Sequence, residues 1–104
     1  MYRGTTPTYT LTLPEGIDLT GADQVIVTIS DLDMNPLLEI SNEDLTIDEN
    51  EIELRLTQDE TLALPAGQVL IQVNWTFVSG SNTDRACSEI VSVPSLRNLH
   101  NEVI

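Results

Sequence analysis

From Val69 to Phe77 every second residue is large and apolar: Val69, Ile71, Val73, Trp75 and Phe77. Gln72, Asn74 and Thr76 stand among the residues between them. A period of two does not trace one face of a helix; it marks a half-buried β-strand, and β-branched and aromatic side chains suit that packed, pleated surface. At about 3.3 Å per residue this run spans roughly 30 Å, enough to cross a small domain. The chain must therefore be built around a sheet of that length.

The residues leading into this strand read as a corner. Ile52, Leu54 and Leu56 alternate with Glu51, Glu53 and Arg55, a strand with one charged face turned to water. Thr57 then stands three residues before Glu60, the reciprocal spacing of a capping box, and predicts a helical turn. Leu62 and Leu64 are expected to plug the end of the core, and Pro65-Ala66-Gly67 to turn the chain into the long strand.

The rest of the chain repeats short strands and turns. Thr5 to Leu13 alternates, with Tyr9, Leu11 and Leu13 on one face, and Pro14-Glu15-Gly16 ends it. Ile17 to Asp23 reads as a connection with Ile17 and Leu19 tucked inward. Gln24 to Asp31 is a second strand, and DLDMNP (Asp31 to Pro36) has turn chemistry, with Pro36 expected to break the strand. Leu37 to Ile40 is a short third strand. Leu45 to Leu56 forms a hairpin about Glu49-Asn50. Val78 to Asp84 reads as a flexible loop, and Arg85 to Val93 as a last, irregular strand at an edge or with a bulge, ended by Pro94. In the tail Ser95 to Ile104, Leu96, Leu99 and Val103 have roughly helical spacing, enough for a short helix or a docking arm.

About seven strands with closely spaced turn signals and no long helix predict an all-β fold. We read it as an antiparallel immunoglobulin-like β-sandwich, with a jelly roll or small barrel as the alternative. The 104 residues fit one domain, with residues 1–7 and 95–104 as extended arms.

Seventeen acidic against four basic residues give a formal charge of −13. That balance argues against nucleic acid, whose backbone demands clustered Lys and Arg, and against anionic membrane surfaces. It suits solubility, a basic partner protein, or diffuse cation binding. The single cysteine, Cys87, excludes an intramolecular disulfide. The start MYRGTTPTYT lacks the apolar core of a signal peptide, so synthesis in the cytoplasm is expected.

No catalytic, cofactor-binding or metal site is predicted. Asp31 to Asn35 opens like a calcium loop, but Pro36 and Asn42 stand where Gly and a bidentate Glu are required, which favours a plain turn. His100 and Cys87, one of each, do not supply a zinc site or a positioned nucleophile. Cys87 is expected to be a small buried side chain. The carboxylate pairs Asp48-Glu49 and Asp59-Glu60 fall at turns, where a solvated face is the simpler reading than a pair held in a cleft. Asn74-Trp75-Thr76 matches a glycosylation acceptor only by coincidence in mid-strand, and the phase of Trp75 places it in the core.

The segment LTQDETLALPAGQVLIQVNW, with Leu56, Thr57, Glu60, Thr61, Leu64, Gly67 and the run Val69 to Trp75, resembles a segment of small β-sandwich proteins of tailed bacteriophages and prophages. These include the N-terminal domains of some baseplate proteins. Tyr2 to Pro7 and Asp18 to Ala22 resemble such proteins too, and Val69 departs where many relatives would have Tyr. The resemblance implies a non-enzymatic virion component of tail or baseplate, acting through contacts with other phage subunits or copies of itself. A binding module of a bacterial surface protein, recognising glycan or protein through its end loops, is the alternative.

Overall fold

A computed structural model describes residues 1–104. Eight strands and one short helix follow in order: β1 (Thr8–Thr12), β2 (Gln24–Ser30), β3 (Pro36–Ser41), β4 (Leu45–Asp48), β5 (Glu51–Arg55), α1 (Gln58–Leu62), β6 (Gly67–Ser79), β7 (Asn82–Cys87) and β8 (Val91–Ser95). A single 3₁₀ turn, Asn42–Asp44, joins β3 to β4. The strands form two antiparallel sheets, β1-β5-β4 and β3-β2-β6-β7, with β8 also paired to β6.

This is the immunoglobulin-like order. β1, β5 and β4 take the places of the second, fifth and fourth strands of that sandwich, and β3-β2-β6-β7 is the opposing sheet with its extra edge strand. No strand pairs with the other edge of β1. Outside the sheets stands a single parallel bridge between Tyr2 and Leu96.

The expected central strand is β6, two residues longer at each end than the alternation suggested. Val69, Ile71, Val73 and Trp75 are buried and Phe77 is half-buried. They pack with Val25, Val27 and Ile29 of β2, and with Ile52, Leu54 and Leu56 from the smaller sheet. Glu51, Glu53 and Arg55 point to water. Leu19 is buried and Ile17 half-buried, as the connection predicted.

The corner forms as the Thr57 and Glu60 spacing requires. The Glu60 amide donates to Thr57 Oγ1 and the Thr57 amide to Glu60 Oε1. Leu64 fills the core, whereas Leu62 is only half-buried; the fully enclosed residue of α1 is Thr61. Its hydroxyl accepts from the Gly4 amide and donates to the Thr5 carbonyl, 2.9 and 2.8 Å away. Arg3 Nη2 donates to the Leu62 carbonyl at the end of the helix. These bonds fasten the N-terminal arm across the corner.

Several boundaries differ from expectation. β1 begins at Thr8 rather than Thr5, because Gly4 and Thr5 are committed to Thr61. Pro36 opens β3 instead of breaking a strand, pairing with Ser30 at a register shift. Val78 to Asp84 is not a loop: β6 runs to Ser79 and β7 starts at Asn82, leaving only Gly80-Ser81 as the turn. The last strand is two strands. Asn74 pairs with Cys87, yet Ile71 pairs with Val91, so one extra residue lies on the β7–β8 side. Pro94 lies within β8, on an outer edge where its missing N–H breaks no ladder. Residues 96–104 form no helix; the tail is an arm held by Asn98 Nδ2 on the Arg3 carbonyl and by Gln58 on the Ile104 backbone.

Candidate functional site

With no strand beyond β1, the sandwich is open along one side. Between β1 and the β7–β8 edge lies a groove of about 770 Å³, a size that suits a bound segment or small ligand. Its floor is the inward row of β6: Ile71, Val73 and Trp75. Leu11, Leu13 and Ile17 form one wall; Ala86, Cys87, Ser88, the carboxylate-bearing Glu89 and Val91 form the other. Trp75 is thus packed as core on most of its surface and reaches the groove with the remainder.

The backbone of β1 faces this groove with unused groups. The Leu56 amide donates to the Pro7 carbonyl and the Leu13 amide to the Asn50 carbonyl. In an antiparallel ladder, bonded pairs alternate, so Tyr9, Leu11 and Leu13 direct their backbone toward β5. Thr8, Thr10 and Thr12 therefore direct theirs to the open side.

Edge strands ordinarily carry protection against such exposure: brevity, charge, proline or a bulge. Three of the four edges here carry a charge, a proline or a bulge. β3 has Pro36 and Glu39, β4 has four residues and ends on Asp48, and β7–β8 has the bulge, Asp84, Arg85 and Pro94. β1, TYTLT, is also short, at five residues, but has no charge, proline or bulge within the strand. Its only other limits are Pro7 and Pro14, which flank it.

The groove continues past the end of β1 into an acidic hollow. Thr12, Leu13, Pro14 and Ile17 line both, and the hollow adds the carboxylates of Glu15, Asp18, Glu49 and Glu51. The side-chain and backbone hydrogen bonds from Thr20 hold the Asp18 carboxyl below the usual carboxylate range. None of the four arginines lines either space, and the chain has no lysine. At the other end of the groove's β8 wall, the arm covers the edge: the Leu96 amide donates to the Met1 carbonyl and the Arg3 amide to the Leu96 carbonyl.

The residues weighed from sequence fall elsewhere or act differently. Asp31 Oδ1 accepts from the Asp33 and Asn35 amides and Oδ2 from Asn35 Nδ2, closing a turn in which Met34 has φ of 67°. Those Asn35 bonds hold the Asp31 carboxyl below its ordinary range. No three His, Cys, Asp or Glu side chains converge as a metal site. Cys87 is exposed, contrary to expectation, because the smaller sheet does not extend over β7, whose six residues are all exposed. His100 lies by Gly4 in the tail, apart from Cys87, which lines the groove. Asp48, Glu49 and Asp59 are exposed and Glu60 serves as the capping-box acceptor. No helix is long and apolar enough to cross a membrane. No protein-family model, no curated protein and no solved structure matches this chain.

Sequence reasoning missed the groove. Its one legible sign was an uncharged strand, TYTLT, set between two prolines in a chain otherwise crowded with carboxylates.

Proposed function

We propose that this protein is a non-enzymatic structural component that works through protein–protein contacts, in the setting its resemblance implies: the tail or baseplate of a tailed bacteriophage or prophage, and hence the virion. The observation that carries the reading is the unguarded edge of β1 above an apolar groove, since an open strand edge invites pairing with another chain. The phage setting rests on the segment Leu56 to Trp75 and on the phrases near the N-terminus. The acidic balance favours partners of opposite charge over further copies of the same chain.

Co-expression with the products of the neighbouring genes, followed by native mass spectrometry, tests this. The expected result is a complex of fixed stoichiometry with a phage structural subunit. A strict monomer that captures none of those products, in a neighbourhood without capsid or tail genes, contradicts it.

A further inference from the structure

We infer that the groove between β1 and β7–β8 receives an extended segment of a partner protein that is apolar at alternate residues and basic at one end. This deepens the assembly reading above and rests on it. Three independent features specify the occupant. The outward backbone of Thr8, Thr10 and Thr12 offers donors and acceptors in the pattern of a sheet edge, which an extended chain matches and a helix does not. The apolar lining of Leu11, Ile17, Ala86 and Val91, set over the buried row Ile71, Val73 and Trp75, accepts side chains from one face of such a chain, so every second residue must be apolar. Beyond Thr12 the groove opens onto Glu15, Asp18, Glu49 and Glu51, with no arginine lining it, so the end that reaches them must be cationic.

A second copy of this chain fits poorly. Each copy carries a formal charge of −13, and the exposed tail has Leu96, Leu99 and Val103 at spacings of three and four, not two. The arm of Met1 to Arg3 is already engaged with Leu96. Pro7 and Pro14 limit the paired length to the few residues of β1, so the contact is a short strand with a charged anchor.

The test uses the full chain and three labelled synthetic peptides. One alternates valine with threonine and ends in lysines; one has the same composition shuffled to destroy the alternation; one ends in glutamates instead. Fluorescence anisotropy should show saturable binding of the first, weakened by salt, and binding at least about tenfold weaker for the other two. Thr10→Pro should abolish binding. Its N–H faces away from β5, so the substitution removes no ladder bond, and unchanged circular dichroism checks the fold. Should Thr10→Pro fail to fold, Val91→Arg, an exposed change on the opposite wall, supplies the same loss. Absence of saturable binding, equal affinity for the shuffled peptide, binding only of a small apolar dye, or a Thr10→Pro-sensitive dimer in light scattering would each overturn the inference. A complex with neighbouring gene products that survives Thr10→Pro overturns the groove assignment and leaves the assembly reading standing. Peptide binding without any such complex does the reverse.

Discussion

Ser88 and Val73 exchange two hydrogen bonds across the open edge of the larger sheet, one through backbone and one through a side chain. The Ser88 amide donates to the Val73 carbonyl at 2.8 Å, and Ser88 Oγ accepts from the Val73 amide at 2.9 Å. The hydroxyl takes the place of a backbone carbonyl at the point where pairing passes from β7 to β8 with one residue to spare. Ser88 thus lets one edge strand bend without orphaning a part-buried donor of the central strand.

Ser88→Ala should therefore cost about 1–3 kcal/mol, the range for leaving a buried amide without its partner. Urea denaturation measures it, and Ser88→Thr should restore most of the loss. The variant should also show faster amide exchange at Val73 than at Val27, which remains enclosed between β3 and β6.

Thr61 supports a second expectation. Its hydroxyl is the shared partner of Gly4 and Thr5, so Thr61→Val keeps the volume but leaves both without a partner. A loss of about 1–3 kcal/mol is expected in chemical denaturation. Amide exchange at Gly4 should accelerate, and Thr61→Ser should behave nearly as the native chain.

Core and surface of one strand should separate cleanly. Leu54 of β5 is fully buried, and Leu54→Ala should cost about 2–5 kcal/mol. Its exposed neighbour Glu53, changed to Gln, should stay within about 0.5 kcal/mol of native. Comparable losses at both positions would mean that β5 is not packed as described.

The Asp31 turn makes a prediction about pH. Its carboxyl is held below the ordinary range by the Asn35 bonds, so the folded form binds its proton less readily than the unfolded one. The stabilisation is present in full above the unfolded value, about 3.9, and is lost as pH falls through the lower folded value. The difference between native protein and Asp31→Ala should be constant near neutrality and shrink only below about pH 4. Denaturation midpoints of the pair across that window decide it.

Much of the architecture was legible because burial writes itself as alternation: Val69 to Trp75, Val25 to Ile29 and Ile52 to Arg55 are strands as expected, with Leu56 just past the end of its strand. β7 was not, because no sheet covers it. Without a buried face, Asn82, Thr83 and Asp84 carry no apolar period and look like loop chemistry, although β6 pairs with all three. Cys87 was misplaced for the same reason. Pro36 and Pro94 misled because a strand tolerates proline at its start or on an outer edge. The groove was hidden more deeply, since it lies beside an edge of β1 that no strand covers. A single sequence shows which strands exist, not which neighbour one lacks.

Amide hydrogen exchange along β1, followed by NMR, tests the open edge most directly. In the protein alone, Tyr9 and Leu11 should exchange slowly, because their backbone is bonded to β5, and Thr8, Thr10 and Thr12 should exchange fast. Addition of the lysine-ended alternating peptide should slow the three threonines and leave Tyr9 and Leu11 unchanged. Uniform protection along β1 before the peptide is added, or threonine exchange that the peptide does not alter, would contradict the account.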